Sequence, residues 1–150
     1  MKDLLVIVLL FMATFFGYSQ NGTAISFIQL DQRMKQEPRQ VVIKIYTDWC
    51  AICKLQDRQV KKDKALQQLL ASDYYYVEFN AETKEPIVFD GASYTFSPQG
   101  TGGIHNLALL LGGKQLAYPC WVLLSQDYKI LLRYNGLLKG SDLQNILSAN

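Results

Sequence analysis

The run Val41 to Tyr46, VVIKIY, is followed four residues beyond its end by the first of two cysteines three positions apart, Cys50 and Cys53. The run is β-branched and aromatic, the composition of a strand. Its near-continuous apolar character fits a strand covered on both faces, which in turn requires layers above and below a sheet. After Trp49 the pattern becomes helical, from Cys50 towards Lys62 and again from Lys64 to Ala71. The cysteine pair therefore stands where a buried strand hands over to a helix.

The rest of the chain alternates in the same way. Ser26 to Lys35 places Phe27, Leu30 and Met34 on one helical face, and Pro38 stops it. Tyr74 to Phe79 returns to strand composition. Ile87 to Phe96 has Asp90-Gly91 between two β-prone arms, a hairpin signal. Ser97 to Gly103 reads as a Gly- and Pro-containing loop, and Ile104 to Leu111 as a short apolar helix closed by Gly112 and Gly113. Two strands, Trp121 to Leu124 and Lys129 to Tyr134, meet at a turn around Gln126 and Asp127. Ser141 is the expected cap of a last helix, Asp142 to Ala149. The order is β-α-β-α-β-β-α after a leading helix, an α/β chain with a mixed central sheet and helices on both faces. With 150 residues, one domain is expected, and no internal repeat or linker divides it.

The first nineteen residues stand apart. Lys2 precedes an apolar run from Leu4 to Phe16, and Gly17 and Ser19 supply small residues at the −3 and −1 positions of a cleavage site. Asp3 is out of keeping with a basic start, and the apolar run falls short of the ~20 residues that span a bilayer. The expectation is a signal peptide over 1–19, cleavage after Ser19, and a mature chain over 20–150 that is periplasmic or secreted, where disulfides persist. The leader contains no cysteine, so no lipid anchor is expected.

Composition narrows the function. Hydrophobic residues make up 49% and the net charge is +2, which excludes intrinsic disorder. Lysine and arginine are scattered rather than gathered on a stripe, so nucleic acid is not an expected partner. A lone histidine, His105, excludes chemistry that needs two imidazoles. Three cysteines are too few for a disulfide framework.

The chemistry is placed in Trp49-Cys50-Ala51-Ile52-Cys53. A cysteine opening a helix lies beside unpaired backbone N–H groups and the positive end of the macrodipole, which favour its thiolate. The thiolate is the species that attacks a disulfide, and a second thiol one turn on resolves the mixed disulfide. Trp49 would shape an apolar contact surface beside the sulfur. A zinc or iron–sulfur site drawing on Cys50, Cys53, Cys120 and His105 is the competing chemistry; only one close cysteine pair argues against it.

Tyr46 to Lys54 resembles the active-site turn of the thioredoxin family, in particular that of exported bacterial thioredoxin-like proteins and of the C-terminal thiol-relay domain of the DsbD reductase. Tyr118-Pro119 before a strand is similar to the cis-proline loop that the family sets against the dithiol. The resemblance spans roughly residues 25–149. It implies a thioredoxin-like fold and a protein-disulfide oxidoreductase that works without a cofactor. Cys50 would be the nucleophile, Cys53 the resolving thiol, and Trp49, Tyr118 and Pro119 the substrate contacts. The implied partners are thiols and disulfides of exported proteins, with a membrane thiol donor for recycling and a monomeric state.

The chain departs from the family in three places. Lys44 stands where the family usually carries a buried aspartate, six residues before the nucleophile. It either modulates Cys53, or buries its stem while its ammonium snorkels to solvent or pairs with an acid. Ala51-Ile52 brings no histidine between the cysteines, and Asp48 opposes thiolate formation; both point to reduction or reshuffling rather than strong oxidation. Residues 81–103 form an inserted hairpin and loop, either covering part of the dithiol face or packing Phe89, Tyr94 and Phe96 as surface elaboration. Cys120 is an odd thiol: a partner in an alternative disulfide, a third relay group, or a small buried hydrophobe. A redox-silent binding module on the same fold is the alternative function.

Overall fold

The computed structural model describes residues 24–149; the expected signal peptide over 1–19 lies outside them. Helix α1, Phe27–Gln36, opens with a capping box: Ser26 Oγ accepts from the Gln29 N–H at 3.2 Å while Gln29 Oε1 accepts from the Ser26 N–H at 2.9 Å. Strand β1, Val41–Tyr46, follows. Helices α2, Ala51–Lys62, and α3, Lys64–Ser72, are joined by Asp63, which ends the first and caps the second by accepting from the Leu66 N–H at 3.0 Å. Strand β2 is Tyr75–Asn80. Two short hairpins come next, β3 Ile87–Phe89 with β4 Ala92–Tyr94, and β5 Phe96–Gln99 with β6 Gly102–His105. Helix α4, Asn106–Gly112, strands β7, Cys120–Leu124, and β8, Ile130–Asn135, and helix α5, Gly140–Ser148, complete the chain.

The main sheet has the order β2-β1-β7-β8. Strand β1 is parallel to β2 and antiparallel to β7, and β8 is antiparallel to β7. The sheet is mixed, as expected. Side-chain alternation along the strands separates two cores. Val41, Ile43 and Ile45 with Val77, Phe79, Cys120 and Val122 pack against Leu30 and Met34 of α1 and Leu107 and Leu111 of α4. Val42 with Tyr76, Trp121 and Leu123 packs against Val60, Leu66 and Leu70 of α2 and α3 and Leu143 and Leu147 of α5. Each inward residue removes its apolar surface from water, worth about 1.5–3 kcal/mol for a full side chain. Both faces of β1 are thus covered, which explains its unbroken apolar run.

Two expectations need correction. Ser97 to Gly103 is a second hairpin rather than a loop, with Phe96 opposite His105 and Ser97 opposite Ile104. Gly103 makes this fit, since a Cβ there would lie 2.5 Å from the Ser97 carbonyl oxygen and 2.4 Å from the Phe96 ring. The last helix starts at Gly140 with Lys139 as N-cap and no side-chain cap, so Ser141 lies inside it. The Lys139 carbonyl opens the helix by accepting from the Asp142 and Leu143 N–H groups at 3.0 Å, and Gln144 Nε2 ties it to both Asp63 carboxylate oxygens at 2.9 and 3.0 Å.

The first hairpin is seated in the core on the α1 side. Phe89 is buried, edge-on to Phe27 at 6.0 Å and to Tyr128 at 4.8 Å, and Tyr94 is partly buried against the same cluster. The packing reading therefore describes this part of the insertion, which lies on the sheet face opposite α2.

Candidate active site

The turn Thr47–Trp49 closes when the Cys50 N–H donates to the Thr47 carbonyl at 3.2 Å. Cys50 has extended backbone angles and is the N-cap of α2; its Sγ accepts from the Cys53 N–H at 3.0 Å. A sulfur occupies the position usually held by a Ser or Asp oxygen, directly among the unpaired N–H groups of the helix head. Lys61 and Lys62 in the last turn of α2 complement the dipole there, while no acidic residue lies in its first turn to do so beside Cys50. Cys50 and Cys53 form a disulfide, with Cα atoms 5.2 Å apart. Cys50 is 5% exposed and Cys53 1%, so Cys50 is the more accessible of the two.

Large apolar side chains lie exposed beside the pair. Trp49 is 67% exposed and Ile52 48%. The Trp49 indole is tethered from below: its Nε1–H donates to Glu82 Oε1 at 3.0 Å, and its ring stands edge-on to Tyr118 at 6.0 Å. Asp48 accepts from Asn80 Nδ2 at 3.0 Å, and Asn80 Oδ1 accepts from the Glu82 N–H at 2.9 Å. The end of β2 and the segment after it thus fasten both residues that precede Cys50. Glu82 is where the inserted region reaches the active-site turn.

Tyr118-Pro119 is a cis peptide. The Pro119 carbonyl accepts from the Gly136 N–H at 2.7 Å, which secures the loop to the end of β8. Burial, then the nearby Glu82 and Cys120, push the Tyr118 hydroxyl above its ordinary pKa and keep it protonated.

Cys120 begins β7 opposite Ile45, fully buried in the core on the α1 side. Burial pushes its thiol up to about 11, against the opposing influence of Arg133. At neutral pH it is a thiol, and it occupies the place of a small hydrophobe. His105 is fully buried at the end of β6. It caps α4 by accepting from the Leu107 N–H on Nδ1 at 3.3 Å, and its Nε2 meets the Glu85 carbonyl at 3.2 Å. Burial holds the imidazole below its usual pKa, outweighing that carbonyl, so it is neutral. Among the described residues no three His, Cys, Asp or Glu side chains come together in a metal-binding group.

Lys44 points to the α2 side and is 1% exposed. Its Nζ meets Asp57 of α2, and Glu78 of β2 at 2.7 Å. Glu78 also accepts from the Tyr76 hydroxyl at 2.9 Å. Burial works to raise the Glu78 pKa, but Lys44 and the Tyr76 hydrogen bond outweigh it and hold the carboxyl below its ordinary value. Lys44 therefore pairs with acids, one of the two readings open from the sequence. Gln56 is fully buried one turn beyond Cys53; its Nε2 donates to the Leu138 carbonyl at 2.9 Å and its Oε1 accepts from the Leu138 N–H at 2.8 Å.

Sequence reasoning missed Asp57, Glu78, Glu82 and Gln56. Asp57 carries a faint signal, since it follows Cys53 by one helical turn. Glu78 is legible only once the register is known, because it lies directly opposite Lys44 on β2.

No protein-family model and no curated protein sequence matches this chain. Solved structures do. The thioredoxin Deadhead of the fruit fly Drosophila melanogaster is similar over 85% of this chain and 97% of its own, with 17% identity and a TM-score of 0.56. A disulphide isomerase from Xylella fastidiosa is similar over 88% and 94%, with 14% identity and a TM-score of 0.54. The exposed lipoprotein thioredoxin of Streptococcus pneumoniae is similar over 78% and 90%, with 14% identity and a TM-score of 0.52. At such identities the likeness establishes the fold, which is thioredoxin-like.

Proposed function

We propose that this thioredoxin-fold chain is a thiol–disulfide oxidoreductase that exchanges two electrons between Cys50–Cys53 and cysteines of other proteins. The observation that carries the reading is the position of Cys50: the N-cap of α2, bonded to Cys53 and bordered by an exposed tryptophan. In the reducing direction the Cys50 thiolate attacks a substrate disulfide, forming a mixed disulfide and releasing one substrate thiolate. Cys53 then attacks Cys50 Sγ; the internal disulfide forms and the second substrate thiolate leaves. The electrons reside in the two sulfurs, so the step calls for no cofactor. Trp49, Ile52 and the Tyr118-Pro119 loop offer the partner an apolar surface.

Reduction or reshuffling is favoured over strong oxidation. The Ala51-Ile52 pair brings no histidine to stabilise a thiolate, and Asp48 adds a negative charge two residues upstream. Neighbours described as thioredoxins and as a disulphide isomerase support the same side. The pattern of residues 1–19 supports exported proteins as substrates, in which case a membrane dithiol donor recharges the pair. Insulin reduction by the wild type, lost in Cys50→Ser, is the expected result. A wild type inactive under conditions where a thioredoxin works would leave the redox-silent binding module as the reading.

A further inference from the structure

The seven residues from Gly113 to Pro119 leave α4 and deliver Tyr118 and the cis proline beside the active-site turn without forming helix or strand. Such a segment keeps a fixed place only where other elements hold it. Strand β8 supplies the hold. Arg133 and Asn135 stand two apart on it, opposite Val122 and Cys120, and so share the face on the α1 side. Arg133 reaches the end of α4, its Nε donating to the Leu111 carbonyl at 2.6 Å and its Nη2 to the Leu110 carbonyl at 3.1 Å. Asn135 reaches the loop that follows: its Nδ2 donates to the Gln115 carbonyl at 3.1 Å, and its Oδ1 accepts from the Ala117 N–H at 3.3 Å. A carboxamide carries the donor and acceptor of a peptide group, so it pairs with these alternate backbone groups as a neighbouring strand would. Between them Leu116 packs against the core on the α1 side, and beyond them the Gly136 N–H holds the Pro119 carbonyl at 2.7 Å. Tyr118 lies between the two fastenings, its ring 6.0 Å from that of Trp49.

We propose that Asn135 is a positioning residue for the capture of protein substrates: its amide fixes the Tyr118-Pro119 loop where a polypeptide carrying a disulfide docks beside Cys50. This deepens the oxidoreductase reading and rests on it. Cys50 Sγ takes its own hydrogen bond from the Cys53 N–H, so the sulfur is prepared within α2 while the loop is placed from β8. The two contributions come from different elements, and a substitution at the end of β8 separates them.

The test compares two disulfides on the intact protein. Asn135 is exposed, and Asn135→Leu is close to it in shape but carries no amide. Reduced Asn135→Leu is expected to react with dithiobis-nitrobenzoate, a small disulfide, at the wild-type rate, and the reduction potential of the Cys50–Cys53 couple should not move. With insulin, a protein disulfide, its second-order rate should fall about fivefold or more, the shift that one net hydrogen bond supports. Asn135→Asp keeps the acceptor for Ala117 but loses the donor for Gln115, and its insulin rate should fall between the two. An insulin rate for Asn135→Leu equal to or above that of the wild type would overturn the assignment. So would a parallel loss on both disulfides, which is what a disturbed dithiol rather than a displaced loop predicts. Failure of the wider reading looks different: the wild type itself would then leave insulin oxidised.

Discussion

Reducing the Cys50–Cys53 bond is expected to destabilise the fold by about 1–2 kcal/mol. The bond closes a loop of four residues, Cys50 to Cys53. The chain-entropy relation for a loop of that size gives about 6 cal/mol/K removed from the unfolded state, or about 2 kcal/mol at room temperature. Against this, reduction frees a Cys50 thiolate at the head of α2, where the dipole returns about 0.3–1 kcal/mol to the reduced protein. The Cys53 N–H bond to Cys50 Sγ can persist in both forms. The oxidised protein is therefore the more stable one. By the closed cycle between folding and reduction, the folded couple is more reducing than the same cysteines in the unfolded chain by about 20–40 mV. Urea unfolding with and without a thiol-free reductant measures the difference directly. For an m-value of about 2 kcal/mol/M the midpoint falls by about half to one molar on reduction, and Cys53→Ser removes the dependence on reductant. A reduced form as stable as the oxidised one, or more so, would mean that thiolate stabilisation prevails and that the protein lies on the oxidant side, contrary to this prediction.

Gln56→Leu should cost about 3 kcal/mol, since it strands the Leu138 carbonyl and N–H in a buried site, each worth about 1–3 kcal/mol when unpaired; a loss below about 1 kcal/mol by urea titration would show that the Gln56 tie is not a structural anchor of α2. His105 is held below its usual pKa by burial, so the unfolded chain binds its proton more readily and stability declines as pH falls below about 6.5. His105→Asn, which keeps a capping acceptor, should flatten that slope in unfolding measured from neutral to mildly acidic pH; an unchanged slope would contradict a buried neutral imidazole.

What the sequence disclosed follows from how local each determinant is. The limits of β1 were legible because both of its faces are buried, so nothing polar interrupts the run except Lys44. The first hairpin was legible because Asp90 and Gly91 both adopt positive φ, at 49° and 73°, a turn that few other pairs tolerate. The second hairpin was not, because Pro98 and Gly103 are poor strand residues and pairing there depends on Phe96 lying over a glycine backbone. The start of α5 was misplaced because its N-cap, Lys139, makes no side-chain cap, so no capping residue marks it in the sequence. At the site, Trp49, Cys50 and Cys53 are adjacent in the chain and visible as a motif. The side chains around them, Asp57, Glu78 and Glu82, arrive through helix phase, strand register and an insertion, none of which a linear pattern encodes.

The most direct test is a redox titration of the protein in glutathione buffers, with free thiols alkylated at equilibrium and the products weighed intact. The account predicts that Cys50 and Cys53 lose their alkylation together in a single two-electron transition, at a potential more negative than about −200 mV, while Cys120 plays no part. Contradiction would come from Cys50 and Cys53 that stay separately alkylated across the whole range, or from a midpoint near the roughly −120 mV of a strong oxidant.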